Sequence, residues 1–538
     1  MISIFILCLV PPISRDALVH HLTIPKLYLK HGGMYEIPSM VFSYYPMNID
    51  LLYTIPLFWG NDIVPKLIHY SFAIMTAGLI FNYLKSRINQ LYALMGAVLF
   101  LSIPIIVKLS ITVYVDLGMV FFSTFSVLYI IKWIENKFEP KYLIISAVSC
   151  GLCMGTKYNG MIVCLILFFI IPFIYSRYGQ NRNQSFFKTV NGAILFLCIS
   201  LLIFSPWMVR NWAWKGNPIY PLYNNVFNSA LDAKQDHYAG IVSQRSDYGV
   251  LNYRRHIYGE SWLEIASIPV RIFFQGEDDN PRFFDGRLNP FLLIFLIFPF
   301  VISRNKLLTK YRHEKYIFLW FIILYFSFTF FSRVLRIRYL TPIIPFLVIL
   351  SIWGFYILMT RVKEIKLSGM KKGGYLFTTA MMMCCLLINF EYIKKQYQYV
   401  TPFSYISKKV SRDAYITKYR SEYPIMQYIN ANLSDSSNIL FLFVGKRGYY
   451  CDKDYIIDET EQIFASAVRN ADSAEEIYSS LQERGVTHIL IHSKIFSAWV
   501  NDIFKPPKKN IIKIFFKNYL KKLYSKHDFI VYELHSTI

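Results

Sequence analysis

Over residues 1–390 apolar side chains fall in long runs closed by charged or turn-forming residues, not in the short alternation of a half-buried strand. Runs near 1–13, 63–84, 91–107, 111–131, 142–155, 161–176, 190–208, 289–303, 316–331, 340–360 and 375–390 predict about eleven membrane-crossing helices, several of them approaching the ~20 residues a crossing needs. The first is the weak one. MISIFILCLV reaches only Val10 before Pro11 and Pro12, about half a crossing, as in a chain whose start is truncated. A cleaved signal peptide fits worse, because there is neither a basic leader nor a small-residue cleavage site. Beyond residue 391 the pattern turns soluble. Strands are expected at 438–445, 454–458, 487–493 and 528–534, with helices over 459–484 and 508–524, so the tail reads as a small α/β domain.

The charges orient these spans. With the amino terminus inside, the inner loops 85–87, 132–141, 177–188, 304–315 and 361–372 carry eighteen Lys and Arg. The short outer connections carry only Lys108, Lys157, Arg333, Arg336 and Arg338, so the excess of basic residues marks the cytoplasmic side. Three segments are then left outside: 14–62, 209–288 and the tail. The expected organisation is a transmembrane catalytic domain over 1–390 with outer loops 14–62 and 209–288, followed by an extracytoplasmic α/β domain over 391–538. The expected location is the cytoplasmic (inner) membrane.

Composition agrees with a multi-span α-helical membrane protein. Hydrophobic residues make up 54% of the 538 and charged residues 17%, below the roughly one quarter of soluble domains. Mean hydropathy is +0.34, which excludes a disordered or collagenous chain. A net charge of +23 would suggest nucleic acid in a soluble protein, but much of it belongs to the inner loops, and no nucleic-acid partner is expected. Seven of the eight cysteines lie in predicted spans, leaving Cys451 alone outside, so no disulfide is expected there. Cys150 and Cys153, near Gly151 and Gly155 in an apolar helix, read as helix packing in preference to redox chemistry.

Candidate chemistry gathers at the outer ends. Asp16 follows the first apolar run and opens PPISRDALVHHLTIPKLYLKHGG, whose Leu18, Leu22, Tyr28 and Leu29 recur with helical spacing, as in a helix lying along a membrane surface. A solvated helix end is the plain reading of such an acid. Asp116 in SITVYVDLGMVFF is an acid inside an apolar span, and intramembrane acids are costly and face a cavity or a partner. Pairing with Lys108 or Lys157 is its structural reading. The basic groups are Arg336 and Arg338 in SRVLRIRYLTPIIP, Lys157 in GLCMGTKYNGM, and Arg210 with Lys215 among Trp207, Trp212 and Trp214. Arginine forks suit phosphate oxygens, whereas headgroup anchoring and an interfacial tryptophan belt are the bland alternatives.

Other motifs carry less. His488 and His492 lie on a predicted strand without a third zinc ligand. Gly445-Lys446-Arg447-Gly448 lacks the spacing of a phosphate loop and reads as a turn. Glu277, Asp278 and Asp279 suit a surface turn, with a divalent ion as the other reading.

In order, PPISRDALVHHLTIPKLYLKHGG, YYPMNIDLLY, YVDLGMVFF, GTKYNG, SPWMVRNWAWKGNPIYP, RIRYLTPIIP and the tail strand followed by RGYY resemble a bacterial member of the GT-C superfamily of membrane glycosyltransferases. The group of dolichyl-phosphate-mannose protein mannosyltransferases and the lipid A aminoarabinose transferase is the nearest in pattern. That resemblance implies a GT-C-like fold with the α/β tail on the outer side, and transfer of a hexose or pentose from a polyprenyl-phosphate donor to a glycan, lipid or protein acceptor. It implies Asp16 as the essential acid of the first outer loop and Asp116 as that of the second. Many relatives place a second acid after the first, where this chain has Ala17, so a metal requirement stays open and no cofactor is implied with certainty. Arg336, Arg338, Lys157 and Arg210, in that order, are expected at the donor phosphate. A flippase for lipid-linked sugars would show related halves and polar midplane groups, and neither is visible. A polymerase or ligase with a diphosphate-linked donor stays open as well.

Overall fold

The computed structural model describes residues 1–179, 186–228, 250–302, 310–331, 335–458 and 462–536. Of the basic residues read above, Arg182, Arg304, Lys306 and Arg333 lie outside the described residues, as does part of the expected outer loop 209–288. The chain divides into two compact units. One comprises Met1–Cys8, Tyr44–Leu52 and Val64–Thr401; the other comprises Leu9–Ser43, Tyr53–Ile63 and Pro402–Ile538.

The first unit is helical: α1 (Val64–Arg87), α2 (Gln90–Ser102), α3 (Pro104–Ser110), α4 (Asp116–Glu135), α5 (Pro140–Thr156), α6 (Gly160–Tyr178), α7 (Phe186–Lys215), α8 (Arg312–Phe330), α9 (Ile344–Glu364) and α10 (Ser368–Val400). Among the described residues, six segments are long and apolar enough to cross a membrane: α1, α4, α6, Val190–Lys215, Ile337–Glu364 and α10. A seventh forms if α2 and α3, bent by 64°, count as one. The bend follows from Pro104, which lacks the N–H that a continuing helix would bond. The remaining apolar runs form shorter or more polar helices. Run 142–155 forms α5, of 17 residues, and 316–331 lies in α8, which opens on Arg312, Glu314 and Lys315. Run 289–303 holds two helices of 4 residues each, Phe291–Ile294 and Phe298–Val301. Run 1–13 holds the 7-residue helix Ile2–Cys8, about 10 Å long at ~1.5 Å per residue.

Small residues let these helices approach. Ser126 Oγ donates to Ser146 O at 2.9 Å and Ser146 Oγ to Ser126 O at 2.8 Å, tying α4 to α5. On α5, Ala147 and Gly151 face α7: Ser200 Oγ donates to Ala147 O at 3.0 Å, and a Cβ on Gly151 would meet Ile203 at 2.6 Å. Cys150 and Cys153 are free thiols buried on this packed helix. At the end of α4 remote from Asp116, buried Glu314 accepts from Tyr83 and from Arg87 Nη2 at 3.0 Å, and Arg87 also pairs with Glu135.

The second unit carries a five-stranded sheet in the order β2-β1-β3-β5-β4, with β1 (Asn438–Leu442), β2 (Asp454–Ile457), β3 (His488–His492), β4 (Leu520–Lys526) and β5 (Phe529–Leu534). β1 pairs in parallel with β2 and β3, whereas β5 is antiparallel to β3 and β4. Leu440, Leu442, Phe464, Ile489, Ile491 and Phe515 lie at the centre of its core. The expected helix 508–524 ends earlier, at Asn518, and its last residues enter β4. That strand is lysine-rich and mostly exposed at the sheet edge, so it lacks the apolar alternation of an inner strand. The expected helix 459–484 is two helices, Gln462–Asn470 and Ala474–Glu483, the second capped by Ser473 Oγ on Glu476 N.

Candidate active site

Within the first unit two of the expected basic groups, Lys157 and Arg338, meet at Asp116. The apolar run starts at residue 111, but helix α4 starts at Asp116 itself, so the acid is the first helical residue and not one turn inside. A carboxylate is favoured there by the helix dipole. Its side chain is fully buried. Lys157 Nζ lies 2.8 Å from Oδ1 and Arg338 Nε 3.0 Å from Oδ2, with side-chain exposures of 16% and 14%. Lys157 is placed by the break between α5 and α6, where Gly160 fits against the Cys153 carbonyl. The Arg338 guanidinium stacks 4.1 Å from the Tyr114 ring centroid, and Lys157 Nζ sits 5.4 Å from that of Tyr339. Next to the acid, Leu117 N donates to His69 Nε2 at 3.0 Å, so the proton of this buried ring resides on Nδ1, which donates to Leu109 O and Thr112 O.

Arg336 goes elsewhere. Its Nη1 lies 3.3 Å from Asp285 Oδ2. Asp285 belongs to a second cluster, where Lys108 Nζ sits 3.2–3.4 Å from Asp278, Asp279 and Asp285. The backbone explains this placement. Ile337 N donates to Phe284 O at 2.8 Å, bringing residue 336 alongside 285, and Gly286 adopts φ +150 where a Cβ would press on Ile337 at 3.1 Å. The two arginines thus face different carboxylates, and Lys108 is a partner of the 278–285 acids in place of Asp116. Among the described residues, no group of three or more His, Cys, Asp or Glu is arranged to hold a metal ion.

Arg210 is held between two of the tryptophans read as a belt, with its guanidinium 4.6 Å from Trp207 and 5.0 Å from Trp214, and Nη2 donates to Tyr45 O at 3.1 Å. Buried Asn211 beside it donates to Tyr44 O at 2.8 Å and to Tyr158 Oη at 3.0 Å. This network joins YYP, the residue after Lys157 and the end of α7.

Asp16 belongs to the second unit. It is half-buried and opens a short π-helical turn, Ala17–His21, ahead of the α-helix Thr23–His31, so the expected surface helix is present in two pieces. In the same unit Lys26 Nζ donates to Tyr449 O at 2.7 Å and to Cys451 O at 2.9 Å, binding that helix to the segment after β1. Burial pushes the Cys451 thiol up to about 11. Gly445–Gly448 is a turn in which Arg447 pairs with Glu422, and His492 caps the helix Ser493–Ile503.

Known proteins place this architecture. The sequence matches none of the curated proteins. A family model described as dolichyl-phosphate-mannose-protein mannosyltransferase matches residues 57–209. The crystal structure of ArnT from Cupriavidus metallidurans bound to undecaprenyl phosphate is similar over 99% of this chain and 95% of its own, with TM-score 0.55 and 11% identity. The Archaeoglobus fulgidus oligosaccharyltransferase in its apo form is similar over 91% of this chain and 68% of its own, with TM-score 0.56 and 11% identity. AglB from the same organism, in complex with an inhibitory peptide and a dolichol-phosphate, gives TM-score 0.50 at 10% identity. The chain has the GT-C fold.

The resemblance read from the ordered motifs is thus matched in fold over nearly the whole chain, and by family model over the part that carries Asp116 and Lys157. Within that fold, sequence reasoning missed Asp285, His69, Tyr114 and Tyr339. Tyr339, adjacent to Arg338, and Tyr114, two residues before Asp116, each lay beside a signal; Asp285 and His69 depend on tertiary approach.

Proposed function

We propose that this protein is an inverting glycosyltransferase that moves a sugar from a polyprenyl-phosphate carrier to an acceptor hydroxyl at the outer face of the cytoplasmic membrane. Eleven crossings and an extracytoplasmic sheet unit complete the reading. One observation carries it: Asp116, Lys157 and Arg338 form a buried cluster with one surplus positive charge, on a fold shared with ArnT, which was crystallised with undecaprenyl phosphate. Asp16 takes the proton of the acceptor hydroxyl as its oxygen bonds to the anomeric carbon from the face opposite the phosphate. The bond from that carbon to the phosphate oxygen breaks in the same step, and the polyprenyl phosphate leaves with the electron pair. Its growing charge is met by Arg338 and Lys157, with Arg210 as a further donor, whereas Arg336 is engaged by Asp285. Both oxygens of Asp116 are engaged by cations, so Asp116 positions them and Asp16 is the base. A flippase gains no support from this arrangement, because the charged residues of α4 lie only near its two ends, at Asp116 and at Lys132 and Glu135, and none at its middle.

The test is Asp16→Asn in purified enzyme. Transfer should fall about 10²-fold or more at unchanged protein level, since a general base contributes ~10²–10⁴-fold. Near-normal turnover would remove Asp16 from the mechanism. A reporter fused after residue 395 should be active only outside the cytoplasm, and the opposite result would overturn the sidedness.

A further inference from the structure

The second unit contains a cleft of 470 Å³ between the helix Thr23–His31, residues 57–62, the helix Tyr423–Asn432 and residues 449–452. Its size falls within the ~300–1,000 Å³ of ligand pockets. Most of its charges are spent on one another: Lys26 Nζ pairs with Asp452 at 2.6 Å, Lys30 Nζ with Asp454 at 2.6 Å, and Arg412 with Asp62. What is left over defines the ligand. Asp62 has a side chain only 6% exposed, and its Oδ2 takes both Arg412 Nη2 and the Tyr449 hydroxyl. Among the described residues its Oδ1 has no protein hydrogen bond, and neither do the Gln427 amide and the Nε and Nη1 groups of Arg412. None of these is a buried atom left without a partner, so each is reached by solvent within the cleft and is open to a polar ligand.

We infer that this cleft is a saccharide subsite for the acceptor, an inference that rests on the glycosyl-transfer reading above and gives its acceptor a chemical class. The unspent groups include an acceptor at Asp62, donors at Arg412, and both at Gln427. A sugar hydroxyl donates and accepts at once and carries no charge. An anion would meet Asp62 and Asp452, and a cation would meet Arg412, Lys26 and Lys30, so a neutral polyhydroxy ligand suits the cleft better than either. Tyr423, Tyr449 and Tyr450 line it and offer ring surface to the C–H face of a pyranose.

The test uses the full chain in nanodiscs and saturation-transfer NMR with a mixture of the methyl glycosides of glucose, galactose, mannose, N-acetylglucosamine and rhamnose. Gln427→Trp fills the cleft without removing a protein hydrogen bond, and its unfolding temperature serves as the control for folding. At least one glycoside should give a signal that falls about tenfold in Gln427→Trp. Gln427→Ala should give a smaller loss. No signal from any glycoside with the wild-type chain, or an equal signal from Gln427→Trp, would overturn the subsite. The two readings fail separately. Saccharide binding that depends on Gln427 in a chain that transfers nothing from any polyprenyl-phosphate donor would sink the transferase and leave the subsite. Transfer with glycoside binding indifferent to Gln427 would do the reverse.

Discussion

Asp116→Asn keeps the size of the side chain and removes its charge, so it separates a carboxylate that holds two cations from one that accepts a proton. Lys157 and Arg338 use different oxygens, at 2.8 and 3.0 Å. Asparagine keeps one acceptor and turns an NH2 toward the other cation, donor against donor. A hydrogen bond to a charged group contributes about 1.5–3 kcal/mol, and stripping one partner from a buried ion pair costs about 3–5 kcal/mol. Both cations retain some exposure, so the lower end of about 3 kcal/mol applies. That cost falls on stability; for catalysis, displacing preorganised cations from a developing charge is on the scale of losing one such donor, about 10²-fold in kcat, and lowers kcat/KM for the donor accordingly. The phosphate is charged in the ground state and more so as the bond breaks, so donor KM should rise as well as kcat fall. A lost general base would lower kcat and leave KM in place. Transfer measured against donor concentration in nanodiscs, alongside thermal unfolding, distinguishes the two. Wild-type donor KM in a normally folded Asp116→Asn enzyme would refute the holding role.

Arg338→Lys keeps the charge but loses the Nε contact and the stacking on Tyr114, and transfer should fall by about tenfold or more, whereas Arg336→Lys, whose parent makes one 3.3 Å contact with Asp285, should lose less. Equal wild-type donor curves for both would place the phosphate elsewhere. Arg87→Ala leaves Glu314 buried with its pairing cation gone, and should cost about 3–5 kcal/mol of stability while activity per folded molecule is kept; a wild-type unfolding temperature would contradict this. Burial holds the His488 imidazole below the ordinary 6.5. The neutral ring is therefore favoured in the folded state, and its stabilisation is fully present above 6.5 and lost as pH falls through the lower folded value. Unfolding of the sheet unit followed by circular dichroism should show this acid sensitivity, and His488→Asn should remove that part of it. An unchanged pH dependence in the variant would show that another group is responsible.

The helices of the first unit were legible because burial in lipid or in protein demands the same continuous apolar surface, and six of the eleven runs coincide with segments long enough to cross. The runs that departed did so for local reasons. Proline ends the helix Ile2–Cys8 and bends α2 against α3, and run 289–303 breaks into two short turns, yet hydropathy sees only apolar character in all three. In the second unit the four apolar strands were read within a few residues, because each has a buried face. Strand β4 was read as helix, since its Lys521, Lys522 and Lys526 give an edge strand no apolar period to detect.

The candidate site was legible as an inventory of residues and not as their pairing, and the charges show why that matters. Arg336 and Arg338 sit two apart, which in an extended strand would point both to one side as a fork. The backbone is extended at Arg336, with φ −118 and ψ 140, but turns into a 3-10 helix at Ile337, so the two side chains separate. Arg338 joins Lys157 on a single acid and leaves one surplus positive charge. Arg336 joins Lys108 among Asp278, Asp279 and Asp285, where the surplus is negative. A phosphate with two negative charges is attracted to the first cluster and opposed by the second. Which arginine pairs with Asp116 is therefore decided by Gly286 and the Ile337–Phe284 hydrogen bond, fifty residues away in sequence, and no local spacing rule could have read it.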